Sequence, residues 1–283
     1  MTKKNTMKGK IGVIGVGFVG GAVYKYFKSK GYKPLVFDKY KKLGSEGDVN
    51  RADIVFICVP TPFKKNDGFD LSAVRQAIKI LKKPKIVVIK SSVIPGTTES
   101  LQKKYPKHKI MFNPEFLKEV SAYEDFIRPD RQIIGATKKS QKSAKAVMSL
   151  LPRAPFEKIM ASQEAEMVKY MANAFLSLKV VFANQFFELC KNLGLNYEDV
   201  KIAVGHDKRI THSHLDVRQD GYRGYGGSCF PKDVNAILQL AEQKKVDLKL
   251  LKSMRGINRK LLKSSGISEE YFLKDLHRKG KNL

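Results

Sequence analysis

The first half of the chain alternates short apolar, β-branched runs with stretches whose apolar residues recur every three or four positions. The runs have the length and composition of strands and cover residues 10–16, 33–39, 52–60, 85–91, 109–113 and 131–137. The stretches between them, of which 70–83 is the clearest, have helical spacing. Alternating strands and helices are typical of a parallel sheet with helices on both faces, and strands that are apolar almost throughout suit burial on both sides. The pattern predicts an α/β domain with a doubly wound parallel sheet.

From about residue 160 the pattern becomes helical without interruption. Segment 162–193 contains neither proline nor glycine, and its apolar residues at helical spacing are Val168, Met171, Phe175, Leu178, Phe182, Phe186 and Leu189. The spacing predicts one helix longer than about twenty residues, with an aromatic stripe in the core or at a subunit interface. Segments 196–204 and 231–245 predict further helices. We expect three parts: an α/β domain over 1–158, an all-helical central domain over 159–265 and a polar tail over 266–283.

The chain is strongly basic, with 54 lysines and arginines against 27 acidic residues and a formal net charge of +27. These cations are scattered in short pieces over many predicted elements, and no nucleic-acid-binding motif accompanies them. A solvated, lysine-rich surface is therefore favoured over nucleic-acid binding. Such a surface still attracts anionic small molecules such as nucleotides.

Cysteine usage and hydropathy bear on where the protein works. The three cysteines, Cys58, Cys190 and Cys229, are odd in number and widely spaced, which disfavours a disulfide framework. A reducing, cytoplasmic setting is expected. No apolar run approaches the ~20 residues of a membrane span, so we expect no membrane partner.

A glycine motif follows the first predicted strand. Gly15, Gly17 and Gly20 have the spacing G-x-G-x-x-G, and Asp38 ends the second predicted strand. In a strand–turn–helix these glycines permit a tight turn, backbone approach to a pyrophosphate and close helix packing, while the acid accepts hydrogen bonds from a ribose diol. The context predicts a Rossmann-type dinucleotide-binding domain.

Asp38 also bears on the choice of dinucleotide. A carboxylate at this place repels a 2′-phosphate, which favours NAD over NADP. Three neighbouring cations, Lys39, Lys41 and Lys42, weaken that preference because they could accommodate the phosphate.

The segment "GYGGSCFPKDV" at 224–234 places Cys229 between glycines and a predicted helix. Pro231 suits the first helical position, so the sulfur is expected near a helix N-terminus, where the dipole favours a thiolate. Gly226 and Gly227 let a ligand approach the backbone, and Lys232 adds positive potential. Cys229 is therefore a candidate nucleophile, whereas Cys58 and Cys190 have the setting of buried filler. A nucleophilic thiol beside a nicotinamide indicates oxidation through a thioester.

The chain resembles the UDP-glucose/GDP-mannose dehydrogenase family over roughly residues 10–262. The resemblance is carried by six segments in order: "IGVIGVGFVG", "ADIVFICVPTP", "IKSSVIPGTTE", "FNPEFLKEVSAYEDFIRPDRQIIG", "EAEMVKYMANAFLSLKVVFANQ" and "GYGGSCFPKDV". It implies a four-electron oxidation of a nucleotide-sugar C6 alcohol to the carboxylate, UDP-glucose to UDP-glucuronate, with two NAD. It also implies a homodimer formed through the central helix.

The resemblance also assigns roles to residues. Cys229 forms a thiohemiacetal and then a thioester, Lys169 and Asn173 assist deprotonation and stabilise the oxyanion, and Asp233 holds an ordered water. One of two acids, Glu115 or Glu119, activates the hydrolytic water, and which of them does so stays open.

Further positions follow from the same match. Ser92 stands where the family has a threonine, and keeps its hydroxyl. The positions assigned to the cofactor are Gly15, Gly17, Phe18, Val19, Gly20, Asp38, Val59, Thr61, Ser91, Glu119 and Lys232. Those assigned to the substrate are Phe116, Leu117, Lys169, Asn173, Arg209, Tyr225 and Gly226.

The chain departs from the family after its central helices, where family members continue into a second nucleotide-fold domain that holds the uridine diphosphate. Leu283 ends the chain before such a domain. We consider a minimal enzyme, a fragment completed by a separate chain that supplies the missing domain, and a degenerate homologue.

Two other functions compete with this interpretation. A two-domain β-hydroxyacid-type dehydrogenase has a similar length and plan but does not need the cysteine loop. A non-catalytic homologue that binds nucleotides or nucleic acid would account for the positive charge. His206, His212 and His214 are too weak a pattern to predict a metal, and the reaction needs none.

Overall fold

A computed structural model describes residues 9–64, 68–219 and 221–274. These residues divide into two compact units: the first comprises 9–61 and 69–169, and the second comprises 62–64, 68 and 170–274. The division falls inside a helix, downstream of the boundary expected at residue 158.

The strands of the described residues are short. They are β1 (Ile11–Ile14), β2 (Leu35–Asp38), β3 (Leu43–Gly44), β4 (Ile54–Ile57), β5 (Phe63–Lys64), β6 (Gly68–Phe69), β7 (Ile86–Ile89), β8 (Lys109–Phe112), β9 (Arg131–Ala136), β10 (Phe156–Ala161), β11 (Arg218–Gln219) and β12 (Tyr222–Arg223).

The helices connect these strands in the first unit and make up most of the second. They are α1 (Phe18–Ser29), α2 (Glu46–Asn50), α3 (Ser72–Lys79), α4 (Thr97–Lys104), α5 (Ala122–Ile127), α6 (Gln141–Leu150), α7 (Ser162–Asn192), α8 (Tyr197–Gly205), α9 (Phe230–Gln243), α10 (Lys249–Ser264) and α11 (Glu269–Lys274). A 3₁₀ turn covers Glu119–Ser121.

The first unit is built on one sheet with the strand order β10-β9-β8-β7-β4-β1-β2-β3. Neighbouring strands are parallel from β2 through β1, β4 and β7 to β8, and β9 pairs in parallel with β10. The α/β, doubly wound prediction is confirmed. Three features were not predicted: β8 pairs with β9 and β2 pairs with β3 in antiparallel fashion, and β10 adds an edge strand.

Side-chain alternation in the central strands explains why their sequences are apolar on both faces. In β4, Ile54 and Phe56 join one buried cluster, whereas Val55 and Ile57 join the cluster on the opposite face. Phe27 of α1 packs on the first face and Ile78 of α3 on the second. Helices therefore cover both faces, and the carboxyl ends of the parallel strands lie together at one edge.

The long helix α7 extends over 31 residues, as its uninterrupted apolar pattern predicts. Much of the predicted stripe faces outward in the single chain: Met171, Phe175, Phe182, Phe186 and Leu189 are exposed. These five residues are therefore not part of this chain's own core, whereas Val168 and Leu178 of the stripe pack against buried clusters.

The second unit packs the later helices around a small core. Val180 and Val181 of α7, Val234 and Leu238 of α9 and Met254 of α10 form it. The unit also contains the short β11–β12 hairpin, which the all-helical prediction lacked.

Helix α11 lies within the stretch expected to be a polar tail. Its first residue, Glu269, is buried and pairs with Arg255 and Arg259 of α10. Over the three described stretches, no helix combines the length and the apolarity that a membrane crossing needs.

Candidate functional site

The carboxyl edge of the sheet collects the predicted cofactor residues of the first unit. The chain runs outward from β1 through β2 to β3 and then returns to β4 on the other side of β1, so the order reverses between β1 and β4. In open α/β sheets, ligands bind outside the carboxyl ends of the strands at such a reversal. Gly15 follows β1 and Cys58 follows β4 at this point.

The glycine loop has the backbone that its motif predicts. Gly15 has φ of +83°, and a Cβ there would lie 2.7 Å from the carbonyl oxygen of Cys58. A Cβ on Gly20 would lie 1.9 Å from the oxygen of Gly15, so only glycine lets the helix pack this closely. Nothing lies within 4 Å of a Cβ placed on Gly17, which leaves open space above the loop.

The start of α1 offers the groups that a pyrophosphate needs. Gly17 is the N-cap, it makes no side-chain cap bond, and the first turn carries no acidic residue. The N–H groups of Phe18 and Val19 lie in this first turn, where the helix dipole favours an anion. A dinucleotide therefore fits the loop.

Asp38 at the end of β2 is buried, and it already orders the loop. One carboxylate oxygen accepts from the backbone N–H of Val16 at 2.7 Å, and the other accepts from the N–H groups of Tyr40 and Lys41 at 3.0 Å each. A carboxylate oxygen can accept two hydrogen bonds, so the oxygen that accepts only from Val16 has remaining capacity for a ribose diol. Lys41, like the neighbouring lysines at 39 and 42, is exposed.

The loops after β4 and β7 are tied to each other by hydroxyl groups. Thr61 donates to the carbonyl of Ser92 at 2.7 Å, and Ser91 donates to the carbonyl of Val59 at 2.7 Å. Four of the predicted positions thus form one hydrogen-bonded wall of the edge.

A buried ion pair joins α7 to the loop after β8. Lys169 is 4% exposed and Glu115 is 6% exposed. The Lys169 ammonium pairs with the Glu115 carboxylate and donates to the Glu115 main-chain carbonyl at 2.7 Å. The other carboxylate oxygen accepts from the N–H of Leu117 at 2.9 Å. A lysine that its helix position alone would leave exposed is buried as part of a charged pair.

The neighbours of Glu115 have different surroundings. Phe116 is half-buried beneath the Arg131 guanidinium, whose carbon lies 3.9 Å from the ring centroid, and Leu117 packs against the core. Glu119 is exposed on the 3₁₀ turn.

Sequence reasoning missed Lys90, the residue directly after β7. It is 3% exposed and donates to the side-chain oxygen of Asn113 at 2.7 Å. Burial is the largest cause that lowers its pKa, to about 8, and the nearby charge of Lys169 acts in the same direction. The sequence did contain a signal for this burial: Lys90 directly follows a strand that is apolar throughout.

Cys190 is buried, as expected, whereas Cys58 is half-buried. Burial raises the pKa of the Cys58 thiol to about 12, which keeps it neutral. Cys190, near the end of α7, is buried in a cluster with Tyr197 and Leu215.

The second unit contains Cys229, which is the N-cap residue of α9. The helix begins at Phe230, so Pro231 is its second residue and not its first. Cys229 makes no side-chain cap bond, and the Ser228 hydroxyl lies 3.7 Å from its sulfur. The half-buried sulfur therefore lies at the positive end of a 14-residue helix.

One turn further along α9, a buried polar cluster surrounds Asp233. Asn173 of α7 donates to one carboxylate oxygen of Asp233 at 2.6 Å, and Lys232 donates to the other at 2.5 Å. All three side chains are buried. Asn173 lies one turn after Lys169 on α7, so both extend from the same face of that helix.

The predicted substrate residues of the second unit have different surroundings. Asn258 fixes Tyr225 by bonding both its backbone N–H and its carbonyl, at 2.7 and 3.0 Å. Burial raises the pKa of the Tyr225 hydroxyl. A Cβ on Gly226 would lie 2.3 Å from the Tyr222 hydroxyl. Arg209 is exposed and pairs with Asp207 at 2.6 Å.

The histidine segment holds no metal-ligand cluster. The rings of His206 and His212 lie edge to face, with centroids 4.6 Å apart. Among the residues with described coordinates, no three histidines, cysteines or acids are grouped as a metal site.

Comparison with known families gives two matches along the chain. A family model described as the NAD binding domain of the UDP-glucose/GDP-mannose dehydrogenase family matches residues 41–151. A second, described as the central domain of the same family, matches residues 163–260.

Curated relatives and solved structures agree with these matches. A UDP-glucose 6-dehydrogenase of Rickettsia prowazekii is 36% identical over 241 residues, covering 82% of this chain and 54% of the relative. One of Pseudomonas aeruginosa is 39% identical over 227 residues, covering 73% of this chain and 48% of the relative. The solved UDP-glucose dehydrogenase of Pyrobaculum islandicum superposes with a TM-score of 0.79 at 30% identity, covering 94% of this chain and 73% of that structure. The chain spans about half the length of the curated relatives it matches.

Proposed function

Because the chain belongs to the UDP-glucose/GDP-mannose dehydrogenase family, we propose that it oxidises the C6 alcohol of a UDP-sugar, UDP-glucose, to the carboxylate with NAD. The observation that carries the proposal is the position of Cys229 at the N-terminus of α9, one turn before the buried Asp233 cluster. A dehydrogenase that only makes or consumes a carbonyl group needs no such thiol.

NAD, when bound, takes up the hydride that leaves carbon 6 in each of two oxidations. The open space above Gly17 and the first turn of α1 would hold its pyrophosphate, and Asp38 would hold the ribose. Thr61 and Ser91 lie at the same edge of the sheet.

The first oxidation removes a proton from the C6 hydroxyl and a hydride from carbon 6, giving the aldehyde. Lys169 takes the hydroxyl proton in its neutral amine form, and the Asn173 amide donates to the oxygen where charge develops. The ion pair with Glu115 holds the Lys169 amine in place, so its position does not rest on the flexible side chain alone.

The second oxidation runs through Cys229. Its sulfur bonds to the aldehyde carbon, the carbonyl oxygen takes up a proton, and a thiohemiacetal forms. Loss of a second hydride from carbon 6 and of the hydroxyl proton gives a thioester. Water then attacks the carbonyl carbon, the C–S bond breaks, and the thiol and the carboxylic acid are released. The sum is one alcohol, one water and two NAD consumed for one carboxylate, two NADH and three protons.

The remaining roles concern an ordered water and the water that cleaves the thioester. Asp233 holds an ordered water, and Glu115 or Glu119 activates the water that cleaves the thioester, assisted by Ser92. Glu115 is the better placed of the two acids, because it is buried beside Lys169 whereas Glu119 is exposed.

We also propose that the protein is a homodimer through the exposed stripe of α7. Phe175, Phe182 and Phe186 present aromatic surface to solvent in the single chain, and Phe182 and Phe186 stack with centroids 4.6 Å apart. Contiguous exposed apolar surface of this kind marks an interaction site. The domain that holds the uridine diphosphate in the family would be supplied by further polypeptide or by a separate chain.

The test is a count of NADH formed per UDP-glucose, followed at 340 nm with limiting sugar. The proposal expects two NADH per sugar with NAD and little with NADP. One NADH per sugar would limit the chemistry to a carbonyl product, as in a β-hydroxyacid-type dehydrogenase. No NADH from any nucleotide sugar, with salt-sensitive binding of polyanions, would point to the non-catalytic alternative.

A further inference from the structure

The loop that carries the acid of the buried ion pair also binds a second buried amine. Lys90, Lys169 and Glu115 are 3%, 4% and 6% exposed, and Lys90 contacts Asn113, two residues before Glu115. Lys169 pairs with the carboxylate. Lys90 binds an amide and not an acid: its partners are the side-chain and main-chain oxygens of Asn113, at 2.7 and 3.5 Å.

Asn113 is held so that it must present its oxygen to Lys90. Both hydrogens of its amide are committed, one to the side-chain oxygen of Gln132 at 2.8 Å and the other to the carbonyl of Ile133 at 2.7 Å. Gln132 is itself buried and donates to the carbonyl of Pro152. The amide orientation is therefore fixed by β9, and the Lys90 amine is fixed with it.

The other groups that face Lys90 do not neutralise it. The Cys58 thiol after β4 is kept neutral by burial, and the Phe126 ring of α5 lies with its centroid 5.3 Å from the Lys90 nitrogen. The charges that act on Lys90 from a distance are Glu115 after β8 and Lys169 of α7. A protonated Lys90 thus gives the buried group a surplus positive charge.

We propose that Lys90 is a positioning residue of the Lys169–Glu115 site, which sets the proton affinity of that pair through its charge and anchors the loop from Asn113 to Glu115. The inference rests on the proposed function, in which Lys169 takes up the alcohol proton. A neighbouring positive charge in a water-poor site disfavours the protonated form of Lys169 and favours the ionised form of Glu115. Lys90 thereby keeps the amine ready as a base at a lower pH than the pair alone would allow.

The coupling is measured first without any turnover. In protein carrying ¹³C at the lysine ε-carbon, the Lys90 signal is identified as the one that is lost in Lys90→Met. Replacing Glu115 by Gln removes an attractive charge and is expected to lower the pKa of Lys90 by about one unit, while Lys169→Met removes a repulsive charge and raises it by about one unit. Opposite shifts in the two variants support the proposal. A Lys90 titration that neither variant moves overturns it, whether or not the protein turns over UDP-glucose.

The catalytic consequence is measured with a matched pair of buried lysines at opposite ends of the same strand. Lys90 follows β7, and Lys85 precedes it, where Lys85 is buried and donates to the main-chain oxygens of Asn50 and Ala52. Lys85→Met removes a buried amine away from the carboxyl edge and serves as the control. Lys90→Met is expected to lower kcat about tenfold with KM nearly unchanged.

The pH profile separates a charge effect from a packing effect. Lys90→Met is expected to move the acid limb of kcat/KM about one pH unit towards alkaline values, because Lys169 then holds its proton more tightly. Lys90→Arg, which keeps the charge, is expected to leave the limb near its wild-type position, and Lys85→Met leaves it unchanged. If Lys90→Met reduces stability and rate but leaves the limb in place, Lys90 is only structural and the proposal is wrong. Absence of NADH formation in the wild type would refute the proposed function alone, since the NMR shifts remain decisive for the coupling.

Discussion

Lys169 binds Glu115 through two different groups, the side-chain carboxylate and, at 2.7 Å, the main-chain carbonyl of the same residue. An ion pair on the surface contributes little to stability because water competes for both charges. In this pair both side chains are buried, and each depends on the other as its partner. The double contact leaves the amine little freedom. It fixes the lysine that the proposed chemistry needs at the carboxyl edge of the sheet.

Removal of the Lys169 amine is expected to abolish most of the activity. Lys169→Met should lower kcat by about 10²–10⁴, the usual contribution of a general base. Lys191 lies on the same helix, is exposed, and supplies the control variant Lys191→Met, which should keep wild-type kcat. Initial rates of NADH formation make the measurement. An equal loss of kcat in both variants would show that Lys169 has no specific role in the mechanism.

Replacement by alanine should have opposite effects at two adjacent glycines of α1, Gly20 and Gly21. A Cβ on Gly20 would lie 1.9 Å from the Gly15 oxygen, so Gly20→Ala should distort the loop and weaken NAD binding at least about tenfold. A Cβ on Gly21 meets nothing within 4 Å, so Gly21→Ala should stabilise the helix by up to about 1 kcal/mol. Thermal melting and NAD titration by fluorescence test both. Tight NAD binding by the Gly20 variant would contradict the placement of the pyrophosphate.

Glu166 makes a specific contribution to the pH dependence of stability. It is fully buried, and its carboxylate accepts from the N–H groups of Gly96 and Thr98, at 2.6 and 2.8 Å, and from the Thr98 hydroxyl at 2.6 Å. Burial nevertheless raises its pKa from 4.5 to about 7.

A raised acid pKa means that the folded state binds a proton that the unfolded state does not. The free energy of unfolding should therefore fall as pH rises from about 5 to 7, by up to about 1.4 kcal/mol per unit of pKa shift, and level off above. Glu166→Gln should remove this slope. Urea unfolding of both proteins from pH 5 to 8 measures the difference, and two curves that stay parallel would contradict the assignment.

The stripe on α7 should govern the solution mass. Sedimentation equilibrium is expected to give a dimer, and the double change Phe182→Lys with Phe186→Lys should give a monomer, because charges cannot be buried in an apolar contact. Tyr40→Lys, at an exposed aromatic of the first unit, is the control and should stay dimeric. A wild-type monomer at micromolar concentration would refute the proposed dimer.

Local patterns in the sequence predicted the elements that depend on local rules. The tight turn at Gly15, the acid that ends β2 and the helix that begins beside Cys229 each follow from residues close together in the chain. The apolar strands and the uninterrupted α7 were equally accessible, because periodicity is a local property.

Features that depend on distant partners could not be predicted in this way. The apolar strand before Lys90 was a signal for its burial, but its partner Asn113, oriented by a residue of β9, lies on another part of the chain, and a single sequence carries no signal for that pairing. The same holds for Glu166 of α7, whose carboxylate accepts from Gly96, the N-cap residue of α4. The antiparallel pairing of β8 with β9 could not be predicted, because strand direction is a property of the assembled sheet and not of either strand.

The central claim is that Cys229 bonds to the sugar carbon, and the most direct measurement is the NADH yield per UDP-glucose in Cys229→Ser beside Cys190→Ser. Cys190 is a buried thiol of the same unit and provides the matched control. We predict two NADH per sugar for the wild type and for Cys190→Ser, and no more than one for Cys229→Ser. Two NADH per sugar at the wild-type rate from Cys229→Ser would contradict the thioester.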